Sequence, residues 1–170
     1  MASLRATMER STPDVTLIDE AGLARWREHA PQLTRFATML VGPDDASDLV
    51  SAVFLRCAER LDRVDDERGY LIRALTNAAI DQHRRTRRRL ARELLVAAAA
   101  PPSTGSDRSD DAIDVRVAVA ALSIRQRAVV YLTYWEDLDG NQAAAILGIG
   151  AASVRRHLAR AKTHLRRSLA

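Results

Sequence analysis

Between Ala151 and Leu169, Arg155, Arg156, Arg160, Lys162, Arg166 and Arg167 surround a stripe of Val154, Leu158, Ala161, Leu165 and Leu169. Guanidinium groups at that density are suited to anions: each is a planar fork of donors matching a phosphate or the O6/N7 edge of guanine. The stripe recurs at helical spacing, so one face can pack on protein while the cations stay outside. Upstream lies a short Ala-rich segment from Gly140 to Leu147, and Gly148-Ile149-Gly150 separates the two. Two helices that cross closely need a small side chain where they touch, which Ala144 supplies. The turn needs a left-handed backbone position, which Gly148 tolerates at little cost. Val154 then locks the second helix onto the first. These features together describe a helix-turn-helix, a unit that places its second helix in the DNA major groove.

On that geometry Ala151, Ala152, Ser153, Arg155, Arg156 and His157 point into the groove. One arginine bidentate to guanine is worth roughly 1–3 kcal/mol of base discrimination. Arg160, Lys162, Arg166 and Arg167 lie further along and touch phosphate, or nothing. The plainer alternative is an ordinary amphipathic C-terminal helix. His157 also brings a group that titrates near neutrality, hence mild pH sensitivity.

Other chemistries find no support. The acids are scattered on charged turns, and the four histidines form no HxxxH pair. No nucleophile stands with partners and no carboxylate cluster is placed for Mg²⁺, so an enzyme is not expected, nor a metal or cofactor. Cys57 is the single cysteine, which excludes an intramolecular disulfide and a Cys-based zinc site. It falls in an apolar stripe and reads as a small buried hydrophobe in preference to a redox sensor.

The elements that position these groups follow from composition. At 170 residues the chain holds one domain or two small ones, and 47% hydrophobic content supports a core. Aromatics supply only 4%, so the apolar weight is carried by Ala, Leu and Val, which favours helices over sheets. Net charge is a modest +4, but basic residues crowd into 84–92 and 155–167 while acids gather at 44–48, 59–67 and 107–114. Such clusters are either polyanion-binding faces or solvated helix faces.

Residues 1–20 show no period and read as a loose leader. Leu23, Trp26, Ala30, Leu33, Phe36, Ala37 and Leu40 then recur at helical spacing, with Pro31 marking a kink or a junction of two helices. Gly42-Pro43 stops that segment, and Asp44 or Asp45 can cap the next, which carries Leu49, Val50, Val53, Phe54, Cys57 and Leu61 on one side. A charged connection leads to a third helix with Tyr70, Leu71, Ala74, Leu75, Ala78 and Ala79 inward, running out into the arginine-rich stretch. The Ala/Pro/Ser/Asp composition around 97–111 is that of a linker. Beyond it, Ile113, Val117, Ala120 and Ala121 open a second helical set, Ser123 caps the following helix, and Ala128, Val129, Leu132 and Trp135 continue the core. The expected architecture is all-α: two small helical domains, 21–93 and 113–170, joined by a flexible linker at 94–112, the C-terminal one with the helix-turn-helix.

That order resembles the bacterial extracytoplasmic-function sigma factors, small two-domain specificity subunits of RNA polymerase. The stretch Leu33-Thr-Arg-Phe-Ala followed by 42–56 resembles the family's polymerase-clamp-binding helix, 68–85 its promoter-melting helix, and 122–138 the opening of its second domain. The resemblance implies core RNA polymerase and promoter DNA as partners, with an anti-sigma factor as a possible further one. It assigns Asp48, Leu49 and Phe54 to the polymerase-binding helix, Asp48 as charge partner and the other two holding the helix in place. It puts Tyr70, Arg73, Asn77, Asp81, Arg84 and Arg85 on the −10 melting surface, with 62–68 helping to form a pocket for a flipped base. Tyr70 either stacks on that base or faces the core. Asn77 and Asp81, at i and i+4, either contact DNA or stabilise their helix. The recognition helix, with Ala152, Ser153, Arg155, Arg156, His157, Arg160 and Lys162, would read the −35 element.

Ser51 and Ala52 depart from the family's usual Gln and acidic residue, Gly150 stands where Ser is frequent, and His157 where Arg is. The rival reading is an autonomous helix-turn-helix regulator that never binds core polymerase. The longest apolar stretch, Leu94 to Ala100, is far short of the ~20 residues that span a bilayer, and no secretory signal is evident, so a cytoplasmic protein is expected.

Overall fold

In a computed structural model, residues 19–97 and 111–169 are described. They form seven helices and no strand: α1 (Glu20–Val41), α2 (Pro43–Leu61), α3 (Glu67–Ala97), α4 (Asp111–Ala120), α5 (Ile124–Tyr134), α6 (Gly140–Leu147) and α7 (Ala151–Ser168). The expected leader and the centre of the linker lie outside the described residues.

Local chemistry sets most helix ends. Asp19 caps α1 through a 2.8 Å bond from Gly22 N. Gly42, with φ of 94°, ends α1 by donating to Thr38 O, and Pro43 starts α2, where its missing N–H costs nothing. Asp44 and Asp45 therefore lie within the first turn of α2, not at its cap; their charge there suits the helix dipole. At α3, Asp66 Oδ1 accepts from Gly69 N at 2.8 Å. Ser123 and Asp139 each close a capping box, with Gln126 and Gln142 respectively. Pro31 sits inside one continuous α1 and marks no junction, because the buried face of Leu33, Phe36, Ala37 and Leu40 holds the helix across the lost bond.

The N-terminal lobe packs α1 against α2 with α3 across both, burying Leu40, Val50, Val53, Phe54, Leu61, Leu71 and Leu75 to 1% exposure or less. Trp26 meets the Phe54 ring edge-on at 5.1 Å. Arg25 pairs with Asp62 and Glu67, and His29 with Glu67 at 3.1 Å, so the charged connection is tied to α1. In the C-terminal lobe α5 and α6 pack on α7 through Ala128, Val129, Leu132, Ala143, Val154 and Ala161.

The lobes do not stand apart. α1 and α3 pack against α5, α3 also packs against α6, and buried residues of both lobes form one continuous cluster, with the Phe36 and Tyr131 rings 5.0 Å apart. Several sequence expectations change accordingly. Trp135 is not in the core: it is 72% exposed, stacked on Tyr131 along an apolar groove between the lobes. Val117 is 62% exposed and Ala120 and Ala121 are exposed; among the described side chains of α4 Ala118 is the buried one, and that of Ile113 lies outside the described residues. Leu23, at 40% exposure, lies on the rim of its lobe. α3 continues to Ala97 and α4 begins at Asp111, so both ends of the expected 94–112 linker are helical. The residues that extend α3, Leu94-Leu-Val-Ala97, are good helix formers that carry the ladder onward, apart from Val96.

Candidate nucleic-acid interface

The recognition helix is built from its turn outward. The Asp139 carboxylate accepts from Asn141 N at 2.7 Å and Gln142 N at 2.9 Å, which starts α6. Gly148 ends it at φ 64°, ψ 37°, a left-handed position reserved largely for glycine. Ile149 N reaches back to Ala144 O at 3.1 Å, so the chain reverses within three residues. Gly150 then caps α7 with no side-chain bond. Ala143 and Ala144 are buried where the helices cross, and Val154 at 1% exposure is the locking residue.

That packing turns Ala152, Arg155, Arg156, Arg160 and Lys162 to solvent, while Ser153 and His157 are half-buried. Arg156 Nη2 donates weakly to Ser153 Oγ at 3.4 Å, and the Lys162 ammonium lies 5.6 Å from the Tyr134 ring centre. Burial pushes the His157 imidazole below its ordinary value, and Arg125, Arg156 and Arg160 push the same way. The ring is therefore neutral near pH 7 and changes charge only at more acid pH.

On α3, Arg73, Asn77, Asp81, Arg84 and Arg85 are exposed along one helix, and Tyr70 is half-buried against the core. Tyr70 thus lies between its two expected roles, with part of its ring packed and part open. From Arg84 to Arg92 every residue is exposed, so this stretch of α3 is a basic rod lying outside the core. Arg73, though exposed, is engaged: its Nε donates to Ile146 O at 2.9 Å and its Nη2 to Ala145 O at 2.6 Å, both in α6.

On α2 only Asp48 of the three expected polymerase-binding residues is exposed. Leu49 is 9% and Phe54 1% exposed, so neither presents a surface; they hold α2 in place. Leu55, 56% exposed, was not anticipated. Its signal was available in the spacing, since residues 48, 52, 55 and 59 share one helical face at i, i+4, i+7 and i+11. Also unanticipated is the network joining the lobes, in which Arg68 pairs with Glu136 and Gln32 bonds to both.

The description "Sigma-70 region 2" matches residues 26–89, and "Sigma-70, region 4" matches 113–165. The chain belongs to the extracytoplasmic-function sigma factors. It is 33% identical over 148 residues to an RNA polymerase sigma-E factor of Streptomyces avermitilis, covering 84% of this chain and 82% of the relative. It is 31% identical over 160 residues to the ECF RNA polymerase sigma factor SigL of Mycobacterium tuberculosis, covering 88% and 90%. Among solved structures, the fold is like that of the sigma factor RpoE in complex with the anti-sigma factor NepR from Bartonella quintana. That likeness has a TM-score of 0.64 at 22% identity, over 89% of this chain and 98% of the other. CnrH in complex with the cytosolic domain of CnrY gives 0.58 at 24% identity, over 88% and 87%. Among the described residues no His, Cys, Asp and Glu group is arranged to hold a metal ion, and no helix is long and apolar enough to cross a membrane.

Proposed function

We propose that this sigma factor binds core RNA polymerase through α2, melts the −10 element along α3 and reads the −35 element with α7. The polymerase surface is Asp48, with Leu55 as its apolar contact; Leu49 and Phe54 keep that face rigid. Asn77, Asp81, Arg84 and Arg85 line the −10 surface, with Arg73 joining them when it is free of α6. Tyr70 presents its open edge to a flipped base, a stacking worth roughly 1–3 kcal/mol. In the major groove Arg155 and Arg156 read bases, Ala152, Ser153 and His157 shape the contact, and Arg160 and Lys162 hold phosphate. Residues 21–93 and 113–170 are the two functional domains, acting in the cytoplasm. An anti-sigma factor is a further partner, a reading supported by the complexes that the two similar structures contain.

The observation that carries this reading is the placement of two exposed basic helical surfaces, on α3 and α7, in lobes that match regions 2 and 4 of one family in chain order. The test is reconstitution with sigma-free core polymerase from a related bacterium. The expected result is co-elution and a promoter-specific transcript, both lost in Asp48→Arg. A chain that footprints duplex DNA alone and never directs initiation would instead be an autonomous regulator, and the proposal would fall.

A further inference from the structure

Most cations that lie against the body of the molecule have partners. Arg25 pairs with Asp62 and Glu67, His29 with Glu67 and Arg68 with Glu136, while Arg127 donates to backbone carbonyls. One basic cluster, beside the recognition helix, is different. His157 flanks the buried stripe of Val154 and Ala161 where α5 packs on α7, and Arg125, in the first turn of α5, comes close enough to act on its ring. Arg160 follows His157 at i+3, on the same face of α7. Arg125 and His157 are half-buried and Arg160 is exposed. Among the described residues none of the three has a hydrogen-bond or ion-pair partner. The charges acting on the ring are Arg125 of α5 and Arg156 and Arg160 of α7; the described parts of α4 and α6, which also pack on this lobe, bring no carboxylate to it. Basic groups gathered partly out of water without a counter-charge favour an anion among them. The guanidiniums offer planar forks of donors, and the ring offers one N–H when neutral and two when protonated.

We propose that Arg125, His157 and Arg160 hold one phosphate of the DNA backbone between α5 and α7, and that the imidazole takes up a proton as this phosphate is seated. The inference rests on the function proposed above, to which it adds Arg125 as a contact and a charge on His157 in the bound state. In the free chain burial, and then the three guanidiniums, keep the ring neutral near pH 7. A phosphate brings a full negative charge to the same place and offsets those guanidiniums, so the protonated ring gains more from it than the neutral one. The bound chain therefore carries the extra proton in a window that opens, as pH falls, near the bound ring's own value and closes at the lowered free value. Affinity rises as pH falls across that window, by at most about tenfold per pH unit for one proton, and levels off below it. Backbone contacts carry no sequence information, so the response is shared by every promoter the helix reads. An arginine at 157, charged throughout, would lack it.

The test uses the full chain in two settings. In holoenzyme with sigma-free core polymerase, affinity for the tightest duplex of a library is measured from pH 8 to pH 6 at constant ionic strength. Wild type is compared with His157→Gln and His157→Arg, and dividing by the Gln variant removes the titration of the polymerase itself. The wild-type ratio should rise about threefold or more toward pH 6, while the Arg ratio stays flat. Arg125→Ala should reduce the salt slope by about 0.9 and flatten the pH response. In the free chain, the His157 ring signal, assigned by its loss in His157→Gln, is followed by nuclear magnetic resonance with an arbitrary short duplex at low salt. The ring should titrate at higher pH with the duplex than without it, and should move less with inorganic phosphate at the same phosphate concentration. A pH-independent ratio, an unmoved ring titration, or an Arg125→Ala salt slope equal to wild type overturns the proposal. A ring shift given as fully by inorganic phosphate overturns the assignment to a backbone phosphate. If the wild-type holoenzyme selects no duplex, the function proposed above fails, and the ring titration with the arbitrary duplex then decides the phosphate site alone.

Discussion

Replacing Asp139 with Ala isolates how far the DNA-reading unit depends on the start of its first helix. The carboxylate accepts from Asn141 N at 2.7 Å and Gln142 N at 2.9 Å, and Gln142 Oε1 accepts from Asp139 N at 2.9 Å. Removing an N-cap of this kind costs about 0.5–2 kcal/mol. Losing a negative charge at the N-terminus of α6 adds about 0.3–1 kcal/mol. The sum, about 0.8–3 kcal/mol, lowers the melting temperature of a chain this size by about 2–8 °C. Asp139→Asn keeps an acceptor and loses the charge, so it should cost only the dipole part, about 1–3 °C. Differential scanning calorimetry of the three proteins measures both terms. Because α6 positions α7, −35 binding should fall in the same order although Asp139 is not among the assigned DNA contacts. An Asn variant as unstable as the Ala variant would refute the assignment of the main cost to the lost backbone bonds. An Ala variant that melts with the wild type would refute the cap itself.

Arg155→Ala or Arg156→Ala should lose about 1–3 kcal/mol at one base position of the −35 element, whereas Arg160→Ala should weaken all sequences alike and reduce the salt slope by about 0.9; holoenzyme binding to a promoter library at several salt concentrations separates them. Phe54→Ala should destabilise the N-terminal lobe by about 3–5 kcal/mol, while Asp48→Ala should leave the urea midpoint unchanged and weaken polymerase binding; equal stability losses would contradict their placement. His157 has a folded-state value below 6.5, so the unfolded chain takes up its proton first as pH falls. Its contribution to stability is complete above about pH 6.5 and is lost as pH falls through the lowered folded value. Urea midpoints from pH 7.5 to 5.5 should therefore fall more steeply for wild type than for His157→Gln, and parallel curves would exclude this origin.

What the sequence made legible was local. Gly148, Ala144 and Val154 specified the turn and crossing of α6 and α7, because a left-handed residue, a small contact and a buried lock each have few substitutes. Ser123 was readable as a cap for the same reason. What could not be read was association at a distance. Trp135 fits the period of the α5 core, yet the groove between the lobes, which no local pattern encodes, is where it lies. Val117 likewise fits a helical period that α4 turns outward. Arg73 was legible as a basic residue on the DNA face, but its carbonyl partners lie 72 and 73 residues away in sequence. The pH behaviour expected of His157 shifted because burial, and then its arginine neighbours, lower its affinity for a proton, and neither can be read from the local sequence pattern.

The outer part of α3 carries a final consequence. Residues 83–92 are all exposed and include Arg84, Arg85, Arg87, Arg88, Arg89 and Arg92, so this segment gains little from burial and pays for crowding like charges. At about 1.5 Å per residue its ten residues form a mast about 15 Å long, whose order depends on the surrounding electrolyte. Its amides should exchange hydrogen faster than those around Leu75 in dilute buffer and slow selectively when a polyanion screens them. Part of the cost of ordering this surface would then fall due only when a nucleic acid arrives, making promoter encounter a folding event as well as a docking one.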